Sequence, residues 1–150
     1  MQNLWAGTSE YFAAFHLPQR VIHADLYLGN TVVDSDGNLV AVVDFDDCYT
    51  GTAIFDLGIA TMSYSFVTDT TARWDLVRTL VQEFESARGA VDPRHVYMSI
   101  LANCCRFYFY TLPLTLQNGE PAASNPFAIR AAFLADELNE AKFMPTCLDN

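Results

Sequence analysis

A short segment near the start of the chain brings together residue types that phosphoryl transfer requires. His23, Asp25 and Asn30 lie within the segment 23–30, and Asp44 follows a little later. A carboxylate can accept the proton of a hydroxyl group, while a second carboxylate and an amide offer the oxygen ligands that Mg²⁺ prefers. This set of side chains could supply the catalytic half of a metal-assisted phosphoryl-transfer site.

The residues between Asn30 and Asp44 predict an antiparallel β-hairpin. Apolar, mostly β-branched runs at 31–33 and 39–43 flank a turn-forming segment at 34–38. That segment also resembles part of a calcium-binding loop, but its glycine comes too early and no bidentate Glu follows at the right position. We therefore interpret it as the turn of the hairpin.

The pairing within this hairpin predicts which side chains meet. With a loop at 35–38 and uninterrupted pairing, Asn30 faces Val43, and directly paired residues lie roughly 5 Å apart. Asn30 and Asp44 then emerge together at the open end of the hairpin. Asp25 lies in the loop that enters the first strand, so it can reach the same point.

These motifs resemble those of the aminoglycoside phosphotransferase family, which also includes choline, homoserine and methylthioribose kinase-like enzymes and shares the protein-kinase fold. The usual family pattern is His-Gly-Asp-Leu-His, then Asn, then Ile-Asp-Trp/Phe, then Asp-Leu-Ala. In the segment 21–60, this chain reads His-Ala-Asp-Leu-Tyr at 23–27, Asn30, Val-Asp-Phe at 43–45 and Asp-Leu-Gly at 56–58. The resemblance therefore includes every motif of the catalytic half.

The resemblance implies a role for each matching residue. It implies that Asp25 is the catalytic base and that Asn30 and Asp44 bind Mg²⁺, with ATP as the co-substrate. It also implies that His23 and Asp56 hold the catalytic loop in shape and take no part in the chemistry.

Some residues beside the motifs depart from the pattern or have two interpretations. Ala24 replaces the usual Gly, which is tolerable if the backbone there needs no positive φ. Tyr27 replaces the usual second His, so no role of that His carries over. Asp46 and Asp47 lie beside the proposed metal site, where they could bind a second metal ion or a substrate amine, or cap the next helix.

The sequence shows no signature of a nucleotide-binding lobe. Its single lysine, Lys142, lies in the last predicted helix, and no Gly-x-Gly-x-x-Gly motif can be written. We expect residues 1–150 to form one domain, the C-terminal lobe of a kinase-like fold, with the N-terminal lobe absent and little turnover alone. Removal of that lobe, a separate subunit and a truncated gene product are all open explanations, and the residues that bind the nucleotide are unknown.

Composition predicts a folded domain and disfavours two classes of partner. The chain is 51% hydrophobic, and its net charge is −10 with no cluster of basic residues, which argues against nucleic acid. Charged residues interrupt every long apolar run, so no membrane span is expected. The acidity suits a cationic hydroxyl substrate, although solvated helix faces explain it better. The four cysteines lack metal-site spacing, and we expect buried thiols in a reducing cytoplasm.

The remaining pattern predicts a mostly helical α+β fold, with the catalytic-loop hairpin and four to five helices. We also predict a short strand at 21–22, a loop at 49–53 and an exposed His95. Apolar spacing, caps and prolines indicate the helices, at about 4–15, 54–66, 72–87, from 93 onwards, and 125–144.

Three functions are compatible with these observations. The first is transfer of the ATP γ-phosphoryl group to the hydroxyl of a small molecule. The second is a non-catalytic module that forms a homo-oligomer or docks on another protein, because a lobe without its partner exposes an apolar face. The third is a metal-dependent phosphohydrolase, which would need more His ligands than three scattered residues supply. The sequence does not identify the acceptor.

Overall fold

The structure is a computed structural model that describes residues 1–136 and Phe143. Lys142, Cys147 and the predicted end of the last helix near residue 144 lie outside the described residues. The elements in chain order are α1 (Gln2–Ala13), β1 (Gln19–Ile22), β2 (Thr31–Val33), β3 (Leu39–Val42), β4 (Tyr49–Thr52), α2 (Ala53–Ser65), β5 (Phe66–Thr68), β6 (Thr71–Ala72), α3 (Trp74–Arg88), α4 (Pro93–Gln117) and α5 (Pro126–Leu134).

Helices α2 and α4 form the centre of the described fold, and α1, α3 and α5 pack against one or other of them. Six consecutive residues of α2, 57–62, are buried, as expected for a helix surrounded by others. The strands form three separate antiparallel pairs. This is the mostly helical α+β fold that the sequence predicted. The main core comprises Leu57, Met62, Val77, Val81, Val96, Tyr97, Ile100, Leu101, Cys104, Ala131, Leu134 and Phe143.

The predicted hairpin is formed by β2 and β3, with one irregularity near its turn. Thr31 pairs with Val42, and the Val43 N–H donates to the Asn30 carbonyl at 2.9 Å, which continues the pairing as predicted. A bulge follows, so that Val33 pairs with Leu39 and the expected uninterrupted register is wrong there.

The bulge has a local cause in the turn. Asp34 donates its backbone N–H to the Asn38 carbonyl, and its carboxylate accepts hydrogen bonds from the Asp36 and Asn38 N–H groups. Asn38 therefore pairs with Asp34, and the loop is one residue shorter than predicted. Hydrogen bonds from the side chain and backbone of Asn38 hold the pKa of the Asp34 carboxyl below its usual range.

Residues 49–53, predicted as a loop, contain the strand β4, which pairs antiparallel with β1. We predicted a loop because Thr-Gly-Thr at 50–52 is typical of turns, but these residues lie in the strand. Gly51 is buried within the strand, and a Cβ atom there would lie 2.7 Å from Ile22 Cδ1. The glycine therefore permits a close approach between strands. Ile22 ends β1 opposite Tyr49, and the chain passes directly from this strand into the His23 segment.

Two expectations about individual side chains were wrong. His95, expected to be exposed, is buried in the first turn of α4 because α1 and the following segment cover it. The rings of Tyr11 and Phe15 lie 5.7 and 4.6 Å from its ring. Cys48, expected to be buried, is exposed.

The adjacent thiols of α4 are buried, as predicted. Cys104 and Cys105 are both free cysteines within the helix core. Burial raises the pKa of the Cys104 thiol to about 12 and that of the Cys105 thiol to about 11. Within the described part of the chain, none of the helices has the length and apolar character needed to cross a membrane.

Gly58→Ala is expected to lower the free energy of unfolding by about 2–3 kcal/mol, because α2 and α4 cross closely at this residue. An added Cβ atom would overlap Ser99 Oγ and lie 2.9 Å from Ser99 Cβ. The Ser99 hydroxyl cannot move away freely, since it donates to the Ile54 carbonyl at 2.8 Å. Urea denaturation measures the change.

Gly7→Ala is the matched control for this prediction. Gly7 lies inside α1, where an added Cβ atom would have no neighbour within 4 Å. Alanine there should raise the free energy of unfolding by about 0.5–1 kcal/mol, through helix propensity alone. Equal effects of the two substitutions would contradict the close crossing of α2 and α4.

Candidate active site

A loop between β1 and β2 carries His23, Asp25 and Asn30, and the first turn of α2 holds its beginning in place. The Asp56 carboxylate accepts the His23 N–H at Oδ2 and the Ala24 N–H at Oδ1, both at 2.8 Å. Asp56 is the acidic residue in the first turn of α2, where the helix dipole favours negative charge. One carboxylate therefore fixes two successive amides of the loop.

The buried His23 ring connects this loop to the residue before Asp44. Its Nδ1 atom accepts the Asp25 N–H at 3.3 Å, so Nε2–H is the donor to the Val43 carbonyl at 2.8 Å. The ring also packs against Phe45, with 4.5 Å between centroids. These contacts of His23 and Asp56 are structural, and their role in supporting the loop during catalysis stays a prediction.

Asp25 and Asn30 are in direct contact. The Asn30 side-chain amide donates to the Asp25 carbonyl at 2.9 Å and to Asp25 Oδ2 at 3.1 Å. Asn30 is buried, and its Oδ1 atom accepts no hydrogen bond from any residue that the structure describes. The nitrogen of the amide is thus committed to Asp25, while its oxygen is free to bind another group.

Asp44 lies one residue beyond the backbone contact between Val43 and Asn30. Its backbone is left-handed with φ 65°, a conformation that Asp tolerates better than most residues, and its side chain is exposed. The structure therefore brings Asp25 and Asn30 together, and the backbone contact of Val43 with Asn30 places Asp44 at the same end of the hairpin. Carboxylate and amide oxygens suit a hard cation such as Mg²⁺. Among residues 1–136 and Phe143, no three His, Cys, Asp or Glu side chains are arranged to hold a metal ion.

Ala24 does not meet the condition under which its replacement of Gly was considered tolerable. Its φ is 66°, and a left-handed conformation costs a residue with a Cβ atom about 1–2 kcal/mol. Both of its backbone polar groups are held, the N–H by Asp56 and the carbonyl by the Arg106 guanidinium. The surroundings thus impose this conformation despite the alanine.

Arg106 is a residue of the site that the sequence interpretation missed. It reaches from α4 to donate through Nη1 to the Ala24 carbonyl, and its Nη2 lies 3.5 Å from Asp47 Oδ2. The available signal was its position as the one charged residue between Arg94 and Glu120. Asp47 therefore pairs with an arginine, and a role of Asp46 or Asp47 in binding a second metal or a substrate stays a prediction.

Residues 2–92 match the phosphotransferase enzyme family, APH, which is more than half of the chain. The chain belongs to this phosphotransferase family. It is 28% identical over 95 residues to the homoserine kinase of Neisseria meningitidis serogroup B (strain ATCC BAA-335 / MC58), covering 62% of this chain and 31% of that protein. It is 27% identical over 112 residues to the homoserine kinase of Caulobacter sp. (strain K31), covering 72% and 34%. The chain thus spans about a third of the length of these relatives.

In this phosphotransferase-family chain, Asp25 lines a cleft of about 460 Å³ that its loop forms with α2, α4 and α5. An aromatic run at residues 107–110 of α4 contributes to the wall of this cleft. Both Phe107 and Tyr110 line it, because the run lies where α4 faces α5. Its other lining residues are Tyr27, Met62, Ser63, Thr111, Phe127 and Arg130.

Arg106→Met is expected to destabilise the protein by about 1–3 kcal/mol, because the buried Ala24 would lose the donor to its carbonyl. Hydrogen exchange of the peptide 21–30 should speed up more than exchange elsewhere. Asp47→Asn is the matched control and should change stability by less than about 0.5 kcal/mol, since the ion pair is largely exposed. If both variants weakened the loop equally, the contact with Ala24 would not be the important one.

Proposed function

We propose that this chain carries the catalytic half of an ATP-dependent phosphotransferase that acts on the hydroxyl group of a small molecule. The observation that supports this most directly is the Asn30 side chain, whose nitrogen orients Asp25 while its oxygen accepts no hydrogen bond from the described residues. Asp44 follows Val43, whose N–H donates to the Asn30 carbonyl. Membership of the phosphotransferase family supports the reaction type. The names of the two relatives, both homoserine kinases, support a small-molecule acceptor.

In the proposed reaction, the acceptor hydroxyl enters the cleft next to Asp25. Its oxygen forms a bond to the γ-phosphorus of ATP while the bond from that phosphorus to the β,γ-bridging oxygen breaks. The hydroxyl proton passes to the Asp25 carboxylate, and ADP leaves. Asn30 holds Asp25 Oδ2, so the other carboxylate oxygen can face the hydroxyl. Positioning of this kind is the main catalytic contribution of proteins to phosphoryl transfer.

The free Oδ1 of Asn30 and the exposed carboxylate of Asp44 would hold Mg²⁺. When bound, this ion would neutralise the negative charge that develops on the phosphates. We assign the positioning of these groups to His23 and Asp56, which attach the loop to the hairpin and to α2. These roles follow the chemistry of the donor atoms and the resemblance of the motifs.

The groups that cover the nucleotide are proposed to come from outside these 150 residues. In support, the chain corresponds to about a third of each homoserine kinase and contains no Gly-x-Gly-x-x-Gly motif. The partner would be a nucleotide-binding lobe, either in a longer polypeptide or in a separate chain.

A non-catalytic association module is the second candidate function. The observation in its favour is the apolar surface of the hairpin, where Val33, Leu39 and Val40 are each more than half exposed. Apolar side chains grouped in this way promote association. Static light scattering tests this candidate, and a monomer at all concentrations would count against self-association.

A titration with ATP in the presence and absence of Mg²⁺ tests the proposed function. We expect Mg²⁺ to strengthen ATP binding by the 150-residue chain, and Asn30→Ala or Asp44→Asn to remove that effect. Mass spectrometry of a mixture with Mg·ATP and small alcohols, L-homoserine among them, tests transfer itself. ATP binding that ignores both Mg²⁺ and these variants would contradict the proposed metal site.

A further inference from the structure

Arg130 is held in a fixed orientation in the wall of the cleft. Its Nε atom donates to Asp69 Oδ1 at 2.8 Å. The guanidinium carbon lies 5.4 Å from the centroid of the Phe66 ring and 5.7 Å from that of the Phe127 ring, within the range of cation–π contacts. The side chain is 22% exposed. An arginine fixed by three neighbours has already lost most of the conformational freedom that ligand binding would remove.

The two terminal nitrogens of Arg130 have no hydrogen-bond partner among the described residues. Asp69 is bound through Nε, which leaves the Nη1–Nη2 pair of donors available. This pair matches the two oxygens of a carboxylate, and such bidentate pairs are among the stronger charge-assisted hydrogen bonds. The free donors therefore favour an anionic group in this position.

Arg130 and Asp25 are the charged residues that line this cleft in the described part of the chain. They give the cleft one group for the acceptor hydroxyl and one cation for another part of the same ligand. The hydroxyl groups of Ser63 and Tyr110 add polar groups between apolar walls, whereas the Thr111 hydroxyl is engaged by the Phe107 carbonyl and the Asn125 amide. A cleft of about 460 Å³ suits a small molecule.

We infer that Arg130 binds a carboxylate of the acceptor, so that the substrate is a small hydroxy acid whose hydroxyl group reaches Asp25. This inference rests on the proposed function for its choice of the hydroxyl end. It differs from the cationic substrate that the overall negative charge suggested, because the local charge of the cleft outweighs a net charge spread over the surface. Specificity would then depend on Arg130, in a helix outside the region matched by the family.

Direct binding of three four-carbon probes tests the inference without requiring turnover. The probes are 4-hydroxybutyrate, 1,4-butanediol and 4-aminobutan-1-ol, which share one hydroxyl and differ in charge at the other end. NMR titration of the full chain should show the acid binding at least about tenfold more tightly than the diol or the amine. A parallel titration with ATP tests whether Arg130 binds a nucleotide phosphate instead of the carboxylate.

Three variants assign the preference to Arg130. Arg130→Lys keeps the charge but loses the planar pair of donors, so it should weaken binding of the acid by about tenfold and leave binding of the diol unchanged. Asp69→Asn keeps an oxygen acceptor for Nε and removes the opposing charge, so it should strengthen binding of the acid and weaken that of the amine. Arg94→Lys, on an arginine outside the cleft, is the matched control and should change nothing.

Some outcomes would overturn the inference. Equal binding of the three probes would do so, as would an acid preference that survives both Arg130→Lys and Arg130→Met in variants with native circular dichroism. If the Arg130 variants lost affinity for ATP but kept their affinity for the acid, Arg130 would be assigned to the nucleotide instead. Acid binding through Arg130, together with ATP binding that ignores Mg²⁺ and the Asn30 and Asp44 variants, would refute the proposed function alone. Transfer to alcohols regardless of charge would refute this inference alone.

Discussion

Asp25→Asn is expected to slow phosphoryl transfer by roughly a hundred- to ten-thousand-fold, the usual contribution of a general base. An amide cannot take up the hydroxyl proton, yet its oxygen can still accept the hydrogen bond that Asn30 donates to Asp25 Oδ2. The backbone contacts of Asp25 with His23, Tyr27 and Asn30 do not involve the carboxylate. The loop should therefore keep its shape, and the affinity for Mg·ATP should change little.

The rate of phosphoryl transfer is measured in a preparation whose wild-type protein has been shown to transfer the phosphoryl group. Unfolding by urea is measured in parallel. Asp36→Asn is a suitable control, because Asp36 is exposed in the hairpin turn and only its backbone N–H makes a hydrogen bond in the described structure. Both variants should unfold like the wild type, and only Asp25→Asn should lose activity. A variant of Asp25 that retained most of the wild-type rate would show that the base is another group.

The parts of the site that sequence could predict are those whose cause is local. The hairpin follows from two β-branched runs around a turn, and its pairing carries Asn30 to Val43. The start of α4 follows from Asp92, whose side chain caps the helix by accepting the Arg94 N–H at 2.8 Å. In both cases the residues that determine the structure are neighbours in the sequence.

The parts that sequence could not predict depend on contacts between distant segments. Arg106 lies 82 residues from the Ala24 carbonyl that it holds, and no local pattern indicates that pairing. The conformation of Ala24 is likewise imposed by Asp56 and Arg106. Gly51 was interpreted as part of a turn because its close contact with Ile22 exists only after the strands pair. The cleft has the same origin, since three helices and the loop form it together.

Asp56→Ala is expected to lower the free energy of unfolding by about 2–4 kcal/mol, because two amides of the loop would lose their acceptor. The His23 and Ala24 N–H groups each donate to one oxygen of this carboxylate, and both residues are buried. Ala24 should be affected most, since its left-handed backbone is held in part by that bond. Urea denaturation gives the stability, and hydrogen exchange of the peptide 21–30 gives the order of the loop.

Asp56→Asn and Asp46→Ala separate the two hydrogen bonds from a general effect of lost charge. The asparagine keeps one oxygen acceptor but turns an amide group towards the second N–H, so it should cost nearly as much stability as alanine. Asp46 is exposed and makes no hydrogen bond or ion pair in the described structure, so its replacement should cost less than about 0.5 kcal/mol. If Asp56→Ala left the exchange of the loop unchanged, the loop would be held without Asp56, by His23, Asn30 and the contact of Arg106 with Ala24. Asp56 would then stabilise the first turn of α2 rather than the catalytic loop.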